Sequence, residues 1–90
     1  MTSNEPKAEE LRALLLAKGY NVECEWRTEG WHFALTKPHS FRSVFVFDHG
    51  LMDDWTSQQI LSFLETHHLD LVLEVNEGKK ILRVTKSGFQ

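Results

Sequence analysis

Residues 41–50 read Phe41-Arg42-Ser43-Val44-Phe45-Val46-Phe47-Asp48-His49-Gly50, with four large apolar side chains at consecutive positions 44–47. A β-strand sends successive side chains to opposite faces, so a strand here is apolar on both. The segments before it behave differently. Tyr20, Val22, Cys24 and Trp26 alternate with Asn21, Glu23, Glu25 and Arg27, and Trp31, Phe33 and Leu35 alternate with His32, Ala34 and Thr36. That is the pattern of strands with one covered and one wet face. Thr28-Glu29-Gly30 and Lys37-Pro38-His39-Ser40 are turns short enough for an antiparallel meander, with the third strand over Phe41–Asp48. Phenylalanine gains more from burial than valine, so Phe45 and Phe47 are expected inward and Val44 and Val46 outward, beside Ala34.

Helices flank the meander. Pro6 to Lys18 carries Ala8, Leu11, Leu14 and Leu15 at helical spacing, with Glu5, Glu9 and Glu10 near the positive end of the dipole. Gly19 is placed to take the left-handed position that ends it, with Tyr20 folding back on Leu15. A second helix should start at Thr56, where Gln59 three residues on completes a capping box and Trp55 and Ile60 sit at staple positions. Ile60, Leu61, Phe63 and Leu64 supply its buried side, and His67 and His68 close it. Leu69, Leu71, Leu73 and Val75 alternate up to the turn Asn76-Glu77-Gly78-Lys79, and Ile81–Thr85 returns, which predicts a hairpin. The order is α-β-β-β-α-β-β. The fold class expected is α+β: one two-layer domain over 1–90, with a mainly antiparallel five-stranded sheet, both helices on one face, and 1–5 and 87–90 frayed.

Ninety residues with 41% apolar and 26% charged side chains suit a single globular core. Such a chain buries roughly 60–65% of its unfolded surface, so its three Trp and six Phe carry much of the stability. The net charge of −3 is uneven: residues 51–70 hold four acids and no base, whereas 71–90 hold four bases and two acids. An acidic chain lacks the broad positive field of non-specific nucleic-acid binding. Cys24, the single cysteine, excludes an intrachain disulfide and reads as a small hydrophobe within a strand. No apolar run approaches a membrane span, and the polar, acidic start MTSNEPKAEE is unlike a signal peptide. A soluble, cytoplasmic protein is expected, with no membrane partner.

Motifs for chemistry are sparse. Five histidines are present, with Asp48, Asp53 and Asp54 near some of them, but none has zinc-ligand spacing, and His67 and His68 diverge by about 100° on a helix. There is no G-x-S-x-G elbow and no glycine-rich phosphate loop. Asp53 and Asp54 are explained by their place ahead of a helix start. No catalytic residue, metal, cofactor or small-molecule ligand is assigned. The second reading is a metal-dependent or hydrolytic protein built on His32, His39, His49 and Asp48.

Two families share the element order. Over residues 6–68, α-β-β-β-α resembles double-stranded RNA-binding domains, which implies phosphate contacts at the second helix. Those domains open that helix with lysines, where this chain has Asp53-Asp54-Trp55-Thr56, so nucleic acid is disfavoured. The full order, with Leu14-Leu15-x-x-x-Gly19 before the first strand and an acidic charge, resembles the core of bacterial type III secretion chaperones. That likeness implies a small dimeric protein that binds polypeptides, although Ser87-Gly88-Phe89-Gln90 is too short for the closing helix of that family.

The doubly apolar strand has two explanations. One is a central strand shielded by long neighbouring side chains. The other is a contact surface in which Val44, Val46, Ala34 and Val72 form an apolar stripe rimmed by Glu23, Glu25, His32 and Arg42. Hiding one such valine is worth about 1.5–2 kcal/mol. On this second explanation the chain is a protein-binding module or adaptor without catalytic activity, and its partner is another protein or a second copy of itself.

Overall fold

Helix α1 spans Glu5–Ala17, and its Ala8, Leu11 and Leu15 lose all exposure. Its end is a Schellman motif: the Tyr20 N–H bonds the Leu15 carbonyl and the Gly19 N–H that of Leu16, with Gly19 at φ +97°. The structure is a computed structural model that describes residues 4–76 and 81–89. Strands β1 (Asn21–Arg27), β2 (Gly30–Thr36) and β3 (Ser43–Phe47) follow as the expected antiparallel meander. Gly30 opens β2 where the chains come very close. A Cβ there would stand 2.3 Å from the Phe47 carbonyl oxygen, so a side chain is excluded.

Three helices then cross over the sheet: α2 (His49–Asp54), α3 (Ser57–Thr66) and α4 (Leu69–Asn76). Both halves of the Thr56–Gln59 capping box form, at 3.1 and 2.9 Å. Strand β4 (Ile81–Thr85) lies parallel to β3, and β5 (Gly88–Phe89) turns back antiparallel on β4. The sheet order is β1-β2-β3-β4-β5. One core joins all four helices to one face of the sheet, through Phe33, Leu35, Phe45, Phe47 and Val84. The α+β class and the two-layer arrangement hold, in a sheet that is mixed rather than purely antiparallel.

The segment 69–75 corrects the expected topology. It is helix α4, not a strand, so there is no hairpin between it and Ile81–Thr85; the turn expected over 76–79 falls largely outside the described residues. Leu69-Asp70-Leu71-Val72-Leu73-Glu74-Val75 fits both periods, because residues 69 and 73 coincide on a helix face as well as on a strand face. Burial decides between them. Leu69 and Leu73 are 1% exposed and Val72 packs on the core, whereas Leu71 and Val75 are 54% and 66% exposed. Leucine is also a strong helix former, and Asp70 lies in the first turn, where the dipole favours it. Parallel strands require a long crossover, which these helices provide.

Smaller differences occur elsewhere. Asp48-His49-Gly50 does not close β3 as a turn, because His49 begins α2. Glu5 is the first residue of α1, and Gly88–Phe89 form β5. Contacts far apart in sequence fasten the helical layer. The Ser57 hydroxyl donates to Glu10, the Lys7 ammonium to the Met52 carbonyl, and the Tyr20 hydroxyl to Asp70.

Candidate binding face

The residues expected to form a surface lie on the side of the sheet away from the helices. Register arranges them in two cross-strand rows, Glu23–Ala34–Val44–Ile81 and Glu25–His32–Val46–Arg83. The inward and outward assignments of 44–47 follow this alternation: Phe45 and Phe47 are wholly buried in the core, while Val44 and Val46 are outside that cluster. A shallow groove of about 370 Å³ runs over the first row and is lined by Glu23, Glu25, His32, Ala34, Arg42, Val44 and Ile81, among others. Val72 is absent from it. As part of α4 it packs into the core from the opposite side of the sheet.

The face is less open than an uncovered valine stripe would be. Ala34 and Val46 are only 8% and 7% exposed and Val44 is half-buried, so Ile81, at 64%, is the main apolar group in solvent. Its place beside Val44 depends on the parallel β3–β4 pairing. Sequence reasoning missed Ile81 because the outer-face neighbour of β3 cannot be named until strand order is known.

Rim charges are paired within the face. Arg42 lies 3.6 Å from Glu23, the Arg27 guanidinium 3.0 Å from Glu25, and the His32 Nε2 2.7 Å from Glu29. Hydrogen bonds from its own backbone and then His32 hold the Glu29 carboxyl below its usual range. Arg83 donates its Nε to Asp48 at 2.9 Å. The rim can therefore orient a partner without presenting a strong net field.

The residues of the catalytic or metal-binding reading are occupied separately. His32 pairs with Glu29, and Asp48 accepts from Arg83. The His49 Nε2 meets the Arg27 carbonyl at 2.9 Å, and its ring lies 5.5 Å from that of Trp26. His39 is in the β2–β3 turn at φ +69°, at the opposite end of these strands from Asp48. Among the described residues no three His, Cys, Asp or Glu side chains are placed to hold a metal ion. Cys24 is half-buried, and burial first, with the Glu9 carboxylate adding to it, pushes its thiol pKa up. It stays protonated and weakly nucleophilic.

Asp53 and Asp54, which oppose the RNA-binding resemblance, are also in use. Asn4 donates to Asp53 and Lys86 to Asp54, each at 2.6 Å. The chaperone resemblance loses its final hairpin to α4. No helix among the described residues is long and apolar enough to cross a membrane. No family model matches the chain, and neither a curated protein nor a solved structure matches it at significant similarity.

Proposed function

We propose that this protein is a small protein-binding module, an adaptor or regulator without catalytic activity, that receives another polypeptide or a second copy of itself on the open sheet face. One observation carries the reading. Val44 and the exposed Ile81 adjoin on a face over which no described helix lies, within a border of Glu23, Glu25, His32, Arg42 and Arg83. An apolar centre with a polar rim is the arrangement of protein interfaces. A cytoplasmic setting is part of the proposal, supported by the single cysteine, which permits no intrachain disulfide.

The test is the double substitution Val44→Asp with Ile81→Asp. Both side chains lie outside the core cluster, so circular dichroism should keep the native signal. Affinity purification with mass spectrometry, and light scattering of the pure protein, should then show the partner or the dimer lost. Association undiminished in a folded double variant would end the reading.

A further inference from the structure

We infer that the outer edge of β4 is a strand-addition site for an extended segment of another protein, in which an aromatic residue is followed by an acidic and then an apolar one. This edge is separate from the open face and shares only Ile81 and Arg83 with it. It already shows how it receives a strand. β5 lies antiparallel on it, with Val84 opposite Phe89 and Thr85 opposite Gly88. Among the described residues, that pairing involves two of the five residues of β4. Among the described residues, nothing pairs with Ile81 or Leu82 on the side away from β3. An unpaired strand edge offers a row of backbone donors and acceptors that an extended backbone satisfies.

Register supplies the chemistry. In an added strand that keeps this register, the three residues after the one opposite Val84 fall opposite Arg83, Leu82 and Ile81 in turn. Phe89 is on the core side, 5.5 Å from Phe45 and 6.2 Å from Phe63 between ring centroids. The residue opposite Arg83 is therefore on the outer side, and the one opposite Leu82 is on the core side, where Leu82 already packs. Opposite charges and apolar pairs directly across strands are stabilising. Arginine has five N–H donors, and Arg83 directs its Nε to Asp48, which leaves others for a second carboxylate.

The aromatic position is prepared without the tail. Phe63 lies 4.2 Å from His67 and 5.0 Å from Trp55, all outside β5. A partner's aromatic would take the place of Phe89, making β5 a strap that competes for the edge. The exposed edge strand of a second copy fits less well, because Val22 and Cys24, not an aromatic residue, precede Glu23 and Glu25 of β1.

The probe is the capped peptide Ser-Gly-Phe-Glu-Leu-Val, titrated by NMR into the 90-residue chain and into Phe89→Ala. Saturable binding to Phe89→Ala is expected, with edge-facing amides of Ile81–Arg83 newly protected from exchange. The intact chain should bind about tenfold more weakly, because its own strap must leave first. Lysine in place of the peptide glutamate should weaken binding about threefold. Val44→Asp, one half of the open-face double substitution, should weaken association through that face and leave peptide affinity unchanged, so the two readings fail separately. No binding at millimolar peptide, protection on β1 instead, or self-assembly through β4 that the peptide disperses would each overturn the inference. Should Phe89→Ala not fold, Phe89→Leu, which loosens the strap and keeps an apolar side chain there, replaces it. The peptide should bind Phe89→Leu more tightly than the parent chain and protect the same amides, and equal affinity would overturn the site.

Discussion

On the covered face of the sheet, Phe33, Phe45 and Phe47 have no exposed surface, and four helices supply the atoms that hide them. On the open face, Ala34 and Val46 are nearly as well hidden, yet they lie outside that core. Their shielding comes from within the sheet. Val46 lies between His32 and Arg83, and Ala34 between Glu23 and Val44, with Arg42 reaching Glu23. Long charged side chains cover apolar neighbours with their stems while their heads stay in water. Such a cover can swing aside when a partner arrives, whereas a packed helix cannot. Similar fractional burial therefore means rigidity on one face and adaptability on the other.

The largest expected effect tests the rigid side. Phe45→Ala should cost about 3–5 kcal/mol, since it leaves a cavity among side chains that cannot collapse into it. A domain of this kind has about 5–15 kcal/mol in total, so chemical denaturation should show a greatly lowered midpoint or a chain largely unfolded at 37 °C. A loss under 1 kcal/mol would mean the covered face is as adaptable as the open one.

This asymmetry was largely legible in residues 20–47, where every strand has a short turn and its neighbour is next in sequence. Alternation alone places Ala34, Val44 and Val46 on the open face for that reason. Ile81, the fourth member of the first row, is not so placed, because β4 reaches β3 through a crossover and its pairing is non-local. Leu69–Val75 failed for a different reason. Seven residues with apolar groups at 69, 71, 72, 73 and 75 satisfy both periodicities, and burial against the core, with the helix propensity of leucine, selects the helix. The cap of α3 was readable because Thr56 and Gln59 bond each other and need no distant partner. The Tyr20–Asp70 bond could not be read, since it spans fifty positions and depends on α4 being helical.

That bond supplies the intermediate prediction. Asp70 is held below the ordinary carboxylate range chiefly by the Tyr20 hydroxyl and then by Lys37, whose ammonium is 3.1 Å away and 4.4 Å from the centre of the Tyr20 ring. A carboxyl with a depressed folded-state pKa adds stability above its unfolded pKa of about 4, and this is lost as pH falls through the folded value. Tyr20→Phe should cost about 1 kcal/mol at pH 7. The difference from the parent chain should shrink as Asp70 protonates in acid. Burial and the neighbouring carboxylate push the Tyr20 hydroxyl pKa up, so it remains a donor through neutral pH. A penalty independent of pH would detach α4 from this latch and leave apolar packing to hold it on the covered face.

The smallest effect should come from the adaptable side. Val44→Thr keeps the β-branched shape that suits a strand and places a hydroxyl on a half-buried face that water can reach, beside Ala34 and Ile81. A cost of about 0.5 kcal/mol is expected, near the ordinary range for surface substitutions. Concentration makes this measurement informative about function. Stability that is the same at micromolar and millimolar protein describes a face left open by the isolated chain. A cost of about 2 kcal/mol that grows with protein concentration would instead show a second copy seated on Val44, because a partner that binds only the folded state stabilises it by mass action. The difference between the two faces would then lie in which molecule supplies the cover.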